Sequence, residues 1–97
     1  MTAEVFFNSP TAPEDSTPAL RALWYDAKGE WDAAHACVQD DPSREAAWVH
    51  AYLHRREDDD GNAGYWYARA GRTPSAEPFD EERSRIASAL FALLTEN

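Results

Sequence analysis

The chain has 97 residues, of which 43% are hydrophobic, and this size and composition predict one small domain with a packed core. Eighteen acidic residues against nine basic ones give a net charge of −9. This charge argues against nucleic acid and anionic membranes as partners, because phosphate groups are bound by clustered Lys and Arg. The single cysteine, Cys37, excludes an internal disulfide and favours a cytoplasmic location.

The N-terminal segment, residues 1–16, has neither the basic start nor the long apolar stretch of a signal peptide. Its prolines and small polar residues predict a mostly extended tail ahead of one helical domain over residues 17–97. Within this tail, Val5, Phe6 and Phe7 are apolar enough to lie in a groove of the domain. Further along, no apolar run approaches the roughly 20 residues that a membrane span needs.

Five helices are predicted in the remainder of the chain. The first covers about residues 18–28, with Thr17 as N-cap, Pro18 at the first helical position and Gly29 after its end. The other four are expected at about 31–40, 42–57, 61–70 and 80–95. The expected N-caps of the last three are, in order, Asp41, Asp60 and Asp80, and Gly71 is the expected stop of the fourth helix.

The chain also resembles itself when it is shifted by 29 residues. In this alignment Leu20 falls on Val49, and Cys37 falls on Trp66, so that apolar positions coincide. We interpret the pattern as two copies of an antiparallel helical hairpin. In the second copy, small residues are expected to let the helices approach closely; they are Ala47, Ala51, Gly64 and Ala68.

The stretch NAGYWYARAG, in which Ala63, Tyr67 and Ala70 follow a small-aromatic-small spacing, resembles the second helix of tetratricopeptide and Sel-one-like repeats. The resemblance covers about residues 18–74 and departs from the family pattern at Asp41. It implies a tetratricopeptide-like array that binds a protein or peptide. Together with the stretch HAYLHRRE, the same residues also resemble a small bacterial family of unassigned function.

Two histidines and a glutamate are candidate metal ligands. His50, His54 and Glu57 stand at i, i+4 and i+7, so they project from one face of a helix. Two imidazoles and a carboxylate suit zinc or iron, although a further ligand has to come from elsewhere, such as His35 or an Asp of the next turn. The alternative is that the pair packs in the hairpin and hydrogen-bonds to Tyr or backbone groups.

Other reactive chemistry finds little support in the sequence. If Gly61 were sixth in a calcium loop, Arg56 and Tyr67 would occupy two ligand positions, and neither side chain fits there. Cys37 and His35 are two residues apart on a helix, so they face different directions and cannot form a nucleophile–base pair. The patterns typical of phosphate loops, dinucleotide sites and nucleophile elbows do not occur.

The sequence therefore predicts an all-α fold of about five helices, with two antiparallel hairpins in a tetratricopeptide-like array and a C-terminal capping helix. The favoured function is a non-enzymatic scaffold without a cofactor that binds a protein, a peptide or a second copy of itself. Aromatic side chains suit such a surface, and the candidates are Trp24, Trp31, Tyr65 and Trp66. The alternative function is a small metal- or ligand-binding domain centred on His50 and His54.

Overall fold

The computed structural model describes residues 1–13 and 15–94, and in these residues the chain forms six α-helices and no strand. The predicted all-α class is therefore confirmed. The helices are α1 (Ala3–Phe7), α2 (Pro18–Ala27), α3 (Trp31–Val38), α4 (Arg44–Arg56), α5 (Asp60–Ala70) and α6 (Phe79–Leu94). The five predicted helices correspond to α2–α6, with ends that differ by one or two residues; the predicted end at residue 95 lies outside the described residues.

The sixth helix, α1, corrects the prediction of an extended N-terminal tail. Thr2 caps this helix by accepting a hydrogen bond from the amide of Val5 at 3.2 Å. Phe6 is buried against the ring of Phe91 in α6, with the ring centroids 5.4 Å apart. Of the three apolar residues expected in a groove, Phe6 is buried, Phe7 is half-buried and Val5 remains exposed.

The helix caps agree with the sequence at three ends and differ at three. Thr17 caps α2, and as predicted Gly29 and Gly71, both with positive φ, follow the ends of α2 and α5. Ser43 caps α4 in place of Asp41, whose carboxylate instead accepts a hydrogen bond from the Ser43 amide at 2.9 Å. The other two corrections are that Asp59, and not Asp60, caps α5, and that Asp80 lies inside α6.

The central element of the bundle is α4, in which every residue from 46 to 54 is buried. The pairs α2–α3 and α4–α5 are the most extensively packed, as the two predicted hairpins require. However, α4 also packs against α2, α3 and α6, and α6 packs mainly on α1, α2 and α4. Four helices therefore pack on α4, and the element added to the two predicted hairpins and the C-terminal helix is α1, which among the described helices contacts only α2 and α6.

The small residues predicted to let α4 and α5 approach closely are buried on α4 but not on α5. Ala47 and Ala51 of α4 are buried. On α5, by contrast, Ala68 is exposed, and a Cβ added at Gly64 would meet no atom within 4 Å. The buried face of α5 is formed by Ala63, Tyr67 and Ala70, so the large Tyr67 side chain fills this contact.

A buried carboxylate, Glu82, joins three helices. One of its oxygens accepts a hydrogen bond from Arg55 Nε at 2.9 Å, and the other accepts from the Tyr67 hydroxyl at 2.5 Å. Glu82 has no exposed surface, while the Arg55 side chain is 14% exposed. A buried charge is tolerated only when it is paired and hydrogen-bonded, as it is here.

A second buried carboxylate, Asp26 of α2, has the same kind of partners. It accepts a hydrogen bond from the Tyr52 hydroxyl and forms ion pairs with Arg56 and Arg83, both at 3.3 Å. Arg55 and Arg56 lie in the last turn of α4, where positive charges interact favourably with the negative end of the helix dipole. The structure gives them a further role, because each binds a different buried carboxylate.

Removing the Glu82 carboxylate is expected to destabilise the fold strongly. We expect Glu82→Ala to lower the free energy of unfolding by about 3–5 kcal/mol, because the largely buried Arg55 and the buried Tyr67 hydroxyl both lose the carboxylate that they bind. Urea denaturation followed by circular dichroism measures this loss. The matched control is Glu77→Ala, which removes the partner of the exposed Arg85 and should cost much less. Equal losses in the two variants would contradict the role given to Glu82.

Candidate metal centre

Three histidines from two helices meet at the contact between α3 and α4. His50 and His54, one turn apart on α4, stack with ring centroids 4.8 Å apart and planes at 23°. His35 of α3 faces both of them, and its Nε2 lies 3.0 Å from Nε2 of His50. The centroids of His35 and His54 are 5.5 Å apart. The three imidazoles therefore form one compact cluster.

The spacing of these ring nitrogens is close to that of a metal site. One nitrogen from each histidine can be chosen so that all three lie within 4.8 Å of one another. Bonds of 2.0–2.1 Å to a tetrahedral zinc ion place neighbouring nitrogen ligands about 3.3 Å apart. The present separations, of up to 4.8 Å, are larger, so the imidazoles would have to move closer together to bind a zinc ion.

Two tryptophans enclose the cluster. Trp66 of α5 stacks on His50, with centroids 4.0 Å apart and planes at 15°, and Trp31 stacks on His35 at 4.9 Å and 10°. The indole of Trp31 also donates a hydrogen bond to the Leu53 carbonyl at 2.8 Å, which ties α3 to α4. These contacts limit the orientations that the imidazoles can adopt.

The nitrogen atoms of the cluster differ in their hydrogen bonds. His54 Nδ1 lies 2.8 Å from Glu57 Oε1, with an oxygen of Asp59 at 4.0 Å. Since a carboxylate accepts hydrogen bonds, Nδ1 carries the proton and the lone pair of His54 is on Nε2. His50 Nδ1, by contrast, is buried and has no hydrogen-bond partner among the described residues.

The surroundings of His35 and His50 favour the neutral form of their imidazoles. Burial, together with the neighbouring His35 and His54, lowers the pKa of His50 to about 4. Burial and His54 also lower the pKa of His35, while Glu57 and Asp32 act in the opposite direction. Neutral imidazole is the form that binds metal ions, so these two histidines are ready to act as ligands at neutral pH.

The structure brings together two of the three predicted ligands and adds a third from another helix. His50 and His54 share one face of α4 as the spacing predicts, and His35 supplies the further imidazole. Glu57 Oε1 lies 2.8 Å from His54 Nδ1, and His54, Glu57 and Asp59 form a second, more exposed group whose ligand atoms also lie within 4.8 Å of one another. The packing half of the alternative is seen in His50, which is buried and stacks on Trp66 of α5. The side-chain hydrogen bonds of the pair go to His35 and Glu57, and not to tyrosine or backbone groups.

The four aromatic residues predicted for partner binding have different environments. Trp24 belongs to the core, with its indole donating to the Ser9 carbonyl at 3.2 Å. Trp31 and Trp66 are partly buried beside the histidines, and only Tyr65 is mostly exposed, at 53%. These residues therefore do not all lie on an open surface.

Cys37 is half-buried, and burial raises the pKa of its thiol.

Comparisons of this chain with protein-family models, curated proteins and solved structures give no match. The resemblance to tetratricopeptide and Sel-one-like repeats, and the scaffold function that it implies, therefore stay predictions. Within the described residues, no helix combines the length and the apolar character required to cross a lipid bilayer.

The lowered imidazole pKa values predict an acid-sensitive fold in metal-free buffer. Because the folded state keeps His50 neutral, the unfolded chain binds more protons below its pKa of 6.5. The contribution of His50 to stability is thus complete above pH 6.5 and is lost as the pH falls towards 4, by about 3 kcal/mol. Urea unfolding between pH 4 and 7.5 measures this loss, and His50→Gln should flatten the profile. Identical profiles for the two proteins would contradict the assignment.

Proposed function

We propose that this chain is a small helical metal-binding protein in which His35, His50 and His54 ligate a divalent transition metal ion, with zinc as the preferred candidate. The observation that supports this proposal is the convergence of three imidazoles whose ligand nitrogens lie within 4.8 Å of one another. Three protein ligands with a fourth position for water or another group form a common zinc arrangement.

The chemistry of the ligand set indicates the class of metal. Imidazole nitrogens suit zinc, copper, nickel and iron, whereas magnesium and calcium prefer oxygen ligands. Zinc and iron are the ions that the sequence pattern also suggests. Zinc is favoured because its tetrahedral geometry is satisfied by three nitrogens and one further ligand, and because it needs no redox partner.

The carboxylate of Glu57 supports the site from outside the ligand set. By accepting the proton of His54 Nδ1 at 2.8 Å, it holds the tautomer in which Nε2 is free to bind a metal. A carboxylate in this position also makes the imidazole more basic, and removing such partners usually weakens metal binding by about 10–100-fold. The nearby Asp59 adds negative charge on the same side, its oxygen lying 4.0 Å from His54 Nδ1.

The position of the site favours a structural role for the metal. His50 and His54 are each less than a tenth exposed, so an ion between them is largely shielded from solvent. The ligands come from α3 and α4, which belong to the two most extensively packed helix pairs. The metal would therefore cross-link the α2–α3 pair to the α4–α5 pair, although three protein ligands with an open fourth position are also the arrangement of catalytic zinc sites.

Zinc titration tests this function directly. We expect one zinc ion per chain in isothermal titration calorimetry, and a rise of about 2.7 kcal/mol in unfolding free energy when free zinc is about 100 times Kd. The double variant His50→Ala, His54→Ala should lose both effects, because two of three ligands are removed. Magnesium should have no effect. An unchanged zinc affinity in the double variant would contradict the proposal.

A second variant tests whether zinc binding depends on the hydrogen bond of the Glu57 carboxylate or only on the negative charge of the turn. Glu57→Gln should weaken zinc binding by about 10–100-fold, because the amide no longer fixes the His54 tautomer as strongly. Competition with a zinc chelator measures the affinity. Asp58→Asn, in the same turn and with the same change of charge, is the matched control and should bind zinc almost normally. An equal loss in both variants would show that only the overall charge matters.

A further inference from the structure

Two apolar grooves lie on either side of the C-terminal end of α6. The first, with a cavity volume of about 360 Å³, is bordered by the N-terminal turns of α2 and α4, and its apolar wall includes Pro18, Ala19, Leu90 and Leu93. The second, of about 280 Å³, lies against α1 and α2 and includes Phe6, Leu20 and Phe91. Leu94 lines both grooves and joins them into one surface.

Large apolar side chains are exposed along this surface. Leu93 and Leu94 are 39% and 55% exposed, and Met1, at the edge of the second groove, is 70% exposed. Contiguous exposed apolar surface of this kind is unusual on a protein without partners and often marks an interaction site. This surface differs from the one that the sequence indicates, since its lining includes none of the four aromatic candidates.

Among the described residues, the charged side chains that line the two grooves are acidic: Asp41 and Glu45 border the first groove and Asp15 borders the second. Arg44 and Arg72 line a separate groove, which shares Glu45 and Leu93 with the first. None of these three carboxylates forms an ion pair with another residue in the described parts of the chain. A partner with positive charge beside an apolar face therefore complements the surface.

We propose that the two grooves together bind an amphipathic, positively charged helix of another protein. Its apolar face would cover Leu93 and Leu94, and its Lys or Arg side chains would lie near Asp41, Glu45 and Asp15. A second copy of this chain fits less well, because each copy carries a net charge of −9 and the two would repel. This inference does not depend on the metal centre, which lies at the α3–α4 contact.

A pair of synthetic peptides tests the proposal with the full chain. One is a 16-residue helix with leucines on one face and lysines on both flanks, and the other has glutamate in place of every lysine. Fluorescence anisotropy should show saturable binding of the lysine peptide, at least 10-fold tighter than that of the glutamate peptide. The double variant Asp41→Lys, Glu45→Lys should reverse this preference. Asp60→Lys, Glu81→Lys, at exposed positions that line neither groove, should preserve it.

Three results would overturn the proposal. The first is no saturable binding of the lysine peptide, and the second is equal affinity for the two peptides. The third is a concentration-dependent dimer in sedimentation experiments without peptide that Leu93→Glu abolishes, since a second copy would then be the occupant. Circular dichroism of every variant shows whether the fold is kept, and a change of preference in a folded variant supports the proposal.

Discussion

The close approach of α3 to α4 is the constraint on which the histidine cluster depends. His35 can reach His50 only because α3 lies directly against α4, and the Trp31 indole fixes this contact by donating to the Leu53 carbonyl. Ala34 of α3 and Ala51 of α4 are both fully buried, and side chains this small allow neighbouring helices to lie close together. If α3 moved away by a few ångströms, two histidines would remain on α4 and the third ligand would be lost.

The buried polar groups of this small domain fall into two kinds. Asp26 and Glu82 are hydrogen-bonded and paired in charge, because each carboxylate accepts a hydrogen bond from a tyrosine hydroxyl and forms an ion pair with at least one arginine. The buried histidines depend instead mainly on one another and on Glu57, and His50 Nδ1 has no partner among the described residues. A buried nitrogen without a partner is not confined to the cluster, because Arg83 Nε, beside Asp26, also has none among the described residues. The feature specific to the histidines is the convergence of three imidazoles from two helices.

The helices were predictable from the sequence because their signals are local. Apolar periodicity and the Thr17 and Gly71 caps place α2 and α5 correctly, and the His50–His54 spacing follows from the geometry of one helix. The short α1 was missed because five residues carry too little periodicity to distinguish a helix from extended chain. Cap positions shifted by one or two residues where neighbouring Ser and Asp residues compete for the same role.

The long-range features were not predictable in the same way. His35 is 15 residues from His50, and Glu82 is 27 residues from Arg55, so both pairings depend on how separate helices pack. The sequence names His35 only as one of several possible further ligands. It does not pair the tyrosines with the buried carboxylates, because a buried Tyr that donates to a carboxylate is indistinguishable in sequence from an ordinary core aromatic.

X-ray absorption at the zinc edge measures the coordination sphere of the zinc-loaded protein and so tests whether the three histidines bind the ion. We expect three imidazole nitrogens at about 2.0 Å and one further light ligand, with no sulfur. A shell of oxygen ligands alone would place the ion on the acidic surface, and a sulfur ligand at about 2.3 Å would place it at Cys37. Either result would contradict a metal centre formed by His35, His50 and His54.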